Sequence, residues 1–344
     1  MMSPILSLVV PCYNSAAYMK RCLDSLIDPA SPDIEIIIVN DGSTDDTARI
    51  ADEYALMYPN HVRVIHKENG GHGSAINAGL RVARGTYFKV VDSDDWLDES
   101  AYHKVLTLLR GLFEDGKELD LLITNFVYEK QGKRVKRVVH YRRALPRNEM
   151  LNWEQVGSFW TWQYMLMHAM TYRTQLLRDA NLHVPEKSFY VDNYFAFVPL
   201  PHVKRLQYLD VDLYRYFIGR SDQSVNEQVM IRRVDQQINV NMLMVRYLSE
   251  VRQRATLPVS LERYMTRYAS LVTSVSSVLL MRDGTPESIA KKYKLWDDIE
   301  QLDSELAYNL RRPLVGNVVS RRGKSTEFAV RAGYRGSKLL VGFN

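Results

Sequence analysis

The chain's 344 residues are 46% apolar and 25% charged, the balance of a soluble globular protein with room for two domains, or for one large domain with an appendage. Two cysteines, Cys12 and Cys22, exclude a disulfide framework and a zinc-ligand set, and no segment approaches the run of about 18 apolar residues that crosses a bilayer. The net charge of +5 is unevenly spread, because residues 311–344 hold eight Lys and Arg against Glu327 alone. Met1-Met2-Ser3-Pro4-Ile5 has neither the basic start nor the small-residue cleavage site of a signal peptide, so the cytoplasm is the expected compartment.

The first hundred residues alternate strand and helix. Ile5 to Pro11, Ile34 to Val39, Val62 to Ile65 and Tyr87 to Val91 are short apolar runs, as strands buried on both faces should be. Between them lie a helix carrying Tyr18, Cys22, Leu23 and Leu26 behind a cap at Asn14 or Ser15, a second over Thr44 to Met57, and a third over Ala75 to Ala83. Such alternation predicts a parallel β-α-β sheet, whose ligands bind beyond the carboxyl ends of the strands.

Those carboxyl ends hold the chain's unusual residues. Pro11-Cys12-Tyr13-Asn14 follows the first strand, and Asn40-Asp41-Gly42-Ser43-Thr44-Asp45-Asp46-Thr47 the second. Glu68-Asn69-Gly70-Gly71-His72-Gly73-Ser74 follows the third, and Asp92-Ser93-Asp94-Asp95-Trp96 the fourth. Three carboxylates within four residues repel one another, and a hard divalent cation would relieve that repulsion. Asp41 can accept from a base N–H or a sugar hydroxyl, and Gly42 allows a tight turn. Gly70, Gly71 and Gly73 offer backbone N–H groups ahead of a helix as an anion site. Each feature has a plainer reading: Ser43 or Thr44 as a helix cap, Asp95 or Asp98 as another, His72 as an ordinary loop residue. Their convergence on one sheet edge favours a site.

In this order the four motifs resemble those of the family 2 glycosyltransferases, inverting enzymes of the GT-A fold. The resemblance is strong over residues 5–115 and fainter to about 225. It implies an α/β fold, a GT-A (Rossmann-like) mostly parallel sheet flanked by helices, with a helical C-terminal extension. It also implies a nucleotide-diphospho-sugar donor, commonly a UDP-sugar, with Mg²⁺ or Mn²⁺ as cofactor. Carried over by position, Pro11, Tyr13, Asp41, Asn69 and Gly71 line the nucleotide pocket, Asp92 meets the ribose, and Asp94 binds the metal. One departure stands out: many relatives have arginine where this chain has Ile76, before Asn77. The Gly70-Gly71-His72-Gly73 backbone or Lys89 could supply the lost phosphate contact.

A helix over Glu99 to Phe113, a strand over Leu119 to Tyr128 and a basic strand-like edge over Lys133 to Arg143 are expected next. Trp153, Phe159, Trp160, Trp162 and Tyr164 serve either core packing or sugar stacking, with Trp160 and Trp162 alternating across a strand. By resemblance, Asp192 in Val191-Asp192 holds the position of the catalytic base, beside a saccharide or lipid-linked saccharide acceptor. Glu186 is the reserve, and Arg220 in the loop after Leu213 to Phe217 can meet the diphosphate. The expected divisions are residues 1–115, 116–226, a helical 227–310 and a basic tail, 311–344, suited to an anionic membrane on the inner face. The helical part shows stripes at Ile231, Val234, Ile238, Met242, Val245 and Leu248, and at Leu261, Tyr264, Tyr268, Leu271, Val275 and Val278. Two rivals fit less well. A nucleotidyltransferase wants a Gly-rich basic loop after the first strand, and a nucleic-acid binder wants its charge spread over a face.

Overall fold

The computed structural model describes residues 4–28, 31–130, 132, 136–160, 163–219, 223, 226–323, 326, 327 and 330. Arg220 and Trp162 lie outside them, as do residues 331–344. The chain divides into two compact units, residues 1–158 with 165–218, and residues 159–164 with 219–344.

In the first unit, strands β1 (Leu6–Cys12), β2 (Ile34–Asp41), β3 (Val62–Lys67) and β4 (Tyr87–Val90) alternate with helices α1 (Met19–Leu26), α2 (Thr47–Met57) and α3 (His72–Val82). All four strands pair in parallel, in the order β3-β2-β1-β4. Every residue of β1, β2 and β4 is buried, which is why their sequences are continuous rather than alternating apolar runs. The sheet continues through β5 (Trp96–Leu97), β6 (Leu121–Lys130), β7 (Arg137–Val139), β8 (Met150–Leu151), β9 (Met170–Arg173) and β10 (Leu206–Ile218). Here the pairing is mixed: β10 runs parallel to β6, while β9 pairs antiparallel with both β4 and β6. Helices α4 (Glu99–Glu114), α5 (Thr174–Asp179) and α6 (Val191–Phe197) complete the unit.

The basic stretch from Lys133 shrinks to the three-residue edge strand β7 on β6. Trp160 lies outside any strand and is 62% exposed, while Trp162, with which it was expected to alternate, falls outside the described residues. Of the expected caps, Asp98 accepts from Ala101 N at the start of α4. Asn14, Ser15, Ser43 and Thr44 do not cap; their side chains tie loops together instead.

Two polar devices hold this sheet. Glu35, 1% exposed, accepts from Ser7 Oγ (2.5 Å), Arg84 N (2.5 Å), Gly85 N (3.0 Å) and Arg84 Nε (3.1 Å), pinning β2 to the turn before β4. Asn125 on β6 donates to both Asp210 and Asp212 at 2.9 Å, across a break in the β6–β10 register. Such an irregularity re-aims the side chains beyond it, here Tyr214 and Tyr216.

The second unit is helical, with α7 (Glu227–Arg232), α8 (Val234–Arg254), α9 (Val259–Asp283), α10 (Pro286–Leu302), α11 (Ser304–Arg311) and α12 (Leu314–Ser320). Its stripes are only partly the expected ones. Leu271, Val275 and Val278 are half-buried, whereas Val272, Thr273, Ser274, Ser276 and Ser277 of α9 are buried. The four hydroxyls bond carbonyls four residues back, so they enter the core without an unmet donor. Part of the basic tail is structured: Lys292 donates to the Arg321 carbonyl, and Arg311 and Arg322 pair with Glu300 and Asp297. Among the described residues no helix is long and apolar enough to cross a membrane.

Because Glu35 satisfies buried donors from two chain segments, Glu35→Ala should destabilise the protein by about 3 kcal/mol. Urea unfolding followed by circular dichroism measures it, and an unchanged midpoint would show that water replaces the carboxylate without cost.

Candidate active site

The four loops at the carboxyl ends of β1 to β4 are laced together by hydrogen bonds. Asn14 Oδ1 accepts from Thr44 N (2.8 Å), Asn14 N donates to Ser43 Oγ (3.0 Å), and Ser15 N donates to Thr47 Oγ1 (2.7 Å). Ser15 Oγ lies 2.7 Å from Ser93 Oγ, joining the first loop to the acidic one. Tyr13 stands at this rim, 54% exposed, while Pro11 is buried at the end of β1.

Asp41 organises the glycine loop. Its carboxylate, 2% exposed as a residue, accepts from Gly71 N (2.7 Å), Lys67 Nζ (2.7 Å) and Gly70 N (3.0 Å), and Asn69 Nδ2 donates to its carbonyl (2.9 Å). The N–H groups of Gly70 and Gly71, expected to await a phosphate, are thus spent on the protein's own carboxylate. Lys89, the other expected phosphate contact, is turned inward as well. It is 1% exposed, and its Nζ donates to the carbonyls of His168 (2.7 Å) and Met170 (3.3 Å), facing away from solvent. Burial lowers its pKa to about 7.

The three carboxylates after β4 have different partners. Asp95, fully buried, accepts from Tyr214 OH and Phe217 N, both at 2.7 Å, and so clasps β10. Burial, then Asp94 and Asp92, push its carboxyl well above the usual range. Asp92 Oδ1 accepts from His72 Nε2 at 2.7 Å, and its Oδ2 lies 3.6 Å from His168 Nε2. Burial disfavours the Asp92 anion, but the two histidines outweigh it and hold the carboxyl well below the usual range. His72 is correspondingly raised: Asp92, then Asp192 and Asp94, overcome its burial. Asp94 is half-buried.

Asp192 reaches the same place from the other half of the sheet. It sits in the first turn of α6, half-buried, behind Tyr190 at φ 66°, a backbone region costly for a bulky side chain. Burial raises its carboxyl, with His168 and His72 pulling it back and Asp92 pushing it up. The approach depends on the glycines. Asn77 exchanges hydrogen bonds with both Val184 O (2.8 Å) and Val184 N (2.9 Å), and Lys187 N donates to Gly70 O (2.6 Å). A Cβ on Gly73 would lie 2.1 Å from Pro185 O, and one on Gly71 3.2 Å from the Lys187 backbone. Glu186, the reserve base, is exposed.

The structure therefore brings Asp92, Asp95, His72 and Asp192 together with two groups that sequence reading passed over, His168 and the Tyr214–Tyr216 pair. The available signal was one histidine inside the apolar run Met165 to Met170. The cluster offers oxygen donors for a cation beside a carboxylate whose raised pKa suits it to take a proton.

This is the fold of a GT-A transferase. Staphylococcus aureus TarS 1–349, solved in complex with UDP-GlcNAc, matches with a TM-score of 0.65 over 97% of this chain and 92% of that one, at 20% identity. Residues 7–165 match the glycosyl transferase family 2 model. The uncharacterized glycosyltransferase EpsJ of Bacillus subtilis is 32% identical over 226 residues, which span 62% of this chain and 61% of the relative. Chondroitin synthase of Escherichia coli is 42% identical over 107 residues, 31% of this chain and 16% of that one.

Since the glycines set the distance between the two halves of the site, Gly73→Ala should force the 184–188 segment outward. The expected cost is about 1–3 kcal/mol of stability, with turnover falling more than UDP affinity. Thermal melting and calorimetric UDP titration check it; a variant with normal stability and turnover would show that the segment yields freely.

Proposed function

We propose that the protein is an inverting glycosyltransferase that moves a sugar from a nucleotide-diphospho-sugar, a UDP-sugar, to a hydroxyl of a saccharide or lipid-linked saccharide acceptor in bacterial cell-surface polysaccharide or glycoconjugate assembly. One observation carries the reading: Asp192, a carboxylate with a raised pKa, stands at the same sheet edge as the Asp92–Asp95 cluster. Inversion needs a base and a departing diphosphate on opposite faces of one sugar carbon, and these two groups arrive from opposite halves of the sheet. Support for the donor comes from a solved neighbour holding UDP-GlcNAc, and for the product class from a relative named chondroitin synthase.

The residues take these parts. Pro11, Tyr13 and Asn69 border the nucleotide, and Asp41 shapes its pocket by holding Gly70 and Gly71 in place. Asp92 meets the ribose, and its ionisation is secured by His72. The donor set fits a divalent cation, since crowded carboxylate oxygens are what Mg²⁺ and Mn²⁺ prefer; Asp94 is its ligand. When bound, such an ion neutralises charge developing on the diphosphate. Asp192 takes the proton from the acceptor hydroxyl as it attacks, and Arg220 is the diphosphate contact proposed from the loop after β10. The cations Lys324, Arg331, Arg335 and Lys338, set against Glu327, attach the enzyme to an anionic inner leaflet.

Asp192→Asn should cut turnover by about 10²–10⁴-fold with UDP affinity kept, whereas Asp94→Asn should lose Mn²⁺-dependent UDP binding. Because the base works deprotonated and its pKa is raised, kcat/KM should fall on acidification at a higher pH than an ordinary aspartate would give. Steady-state kinetics from pH 4 to 8 and calorimetry decide it, and near-normal turnover of the asparagine variant would pass the role of base to another carboxylate.

The membrane role is separable, because α12 packs before the remaining tail begins. A chain ending at Gly323 should keep donor hydrolysis but lose salt-sensitive co-sedimentation with anionic vesicles. Equal binding by both chains, or binding indifferent to anionic lipid, would remove the tail from membrane attachment.

A further inference from the structure

His168 is 4% exposed, and neither of its ring nitrogens has a hydrogen-bond partner. A buried polar group left unpaired is costly, and few survive without a partner that the protein alone does not supply. The ring is nevertheless fixed from several sides. Tyr216 stacks on it at 4.4 Å and 28°, and Tyr214 meets it edge-on at 4.8 Å. Its own carbonyl accepts from the buried Lys89 Nζ at 2.7 Å. Held in this way, Nε2 lies 3.6 Å from Asp92 Oδ2 and 4.0 Å from Asp95 Oδ2. One donor atom from each of these three residues falls within 4.8 Å of the others. Asp95 is engaged by Tyr214 OH and Phe217 N, and Asp92 Oδ1 by His72 Nε2. Asp92 Oδ2 and His168 Nε2 are left facing each other.

We infer that His168 is a nitrogen ligand of the divalent ion at this site, acting with the carboxylates after β4. Two coordination bonds of about 2.0–2.2 Å span a separation of this size, so Asp92 would reach the ion through Oδ2 in addition to its part at the ribose, beside Asp94. His72 is not the ligand, because its Nε2 is committed to Asp92 at 2.7 Å. An imidazole ligand changes the ion's character: all-oxygen sites suit Mg²⁺, whereas nitrogen favours a transition-metal ion. The enzyme should therefore prefer Mn²⁺ or Co²⁺ over Mg²⁺. This inference rests on the metal-dependent reading proposed above.

The test is electron spin-echo modulation of Mn²⁺ bound with UDP to the full chain. A ¹⁴N coupling is expected, which changes to a ¹⁵N pattern when histidine alone is ¹⁵N-labelled, persists in His72→Gln and vanishes in His168→Gln. Losing a ligand should weaken Mn²⁺ binding at least as much as losing an outer partner does, about 10–100-fold, with Mg²⁺ affected less. Circular dichroism shows whether His168→Gln folds; if it does not, a histidine coupling that survives in His72→Gln makes the assignment. Bound Mn²⁺ with no nitrogen coupling, or a coupling that persists in His168→Gln, overturns the inference and leaves the glycosyltransferase reading standing. Failure of Mn²⁺ to bind with UDP overturns both the inference and the metal dependence beneath it.

Discussion

Crowding of like charge at the end of β4 is the constraint on which the rest of the first unit depends. Asp92, Asp94 and Asp95 fall within four residues, and each must be compensated separately. Asp95 goes inward, where Tyr214 OH and Phe217 N clasp it and bring the distant strand β10 against the acidic loop. Asp92 stays at the surface of the site between His72 and His168, which keep it ionised in spite of burial. The carboxylates thus recruit a loop after β3, the approach to β9 and a strand some 120 residues away.

A second constraint is steric. The helix that follows the glycine loop must accept the segment before Asp192 at backbone distance, and Asn77 fixes that segment through both its amide and carbonyl bonds to Val184. Gly73 leaves no room for a Cβ beneath Pro185 O. The glycines read as a phosphate loop in sequence are therefore shaped as much by packing as by any ligand. Asp41 then occupies the N–H groups that an anion would otherwise take. Lys89 is engaged in the same way, by the carbonyls of His168 and Met170.

What the sequence alone determined is the parallel half of the sheet, its loop order and the resemblance to the family 2 glycosyltransferases. Continuous burial on both faces writes itself as unbroken apolar runs, and the motifs Asn40 to Thr47 and Asp92 to Asp95 are contiguous stretches that need no third dimension. Asp192 was singled out by the resemblance alone, as a local position in a motif. Tertiary structure decided the rest. α3 begins at His72, ahead of the expected Ala75, because Gly71 at φ 84° turns the chain into it. The buried serines of α9 escape apolar periodicity because their hydroxyls are satisfied locally. His168, Tyr214 and Tyr216 carry no local signature, since their surroundings exist only once β9 pairs with β4 and β10 reaches the acidic loop that follows it. A side chain's partners across a sheet are set by register and bulge, and neither is written in the residues next to it in sequence.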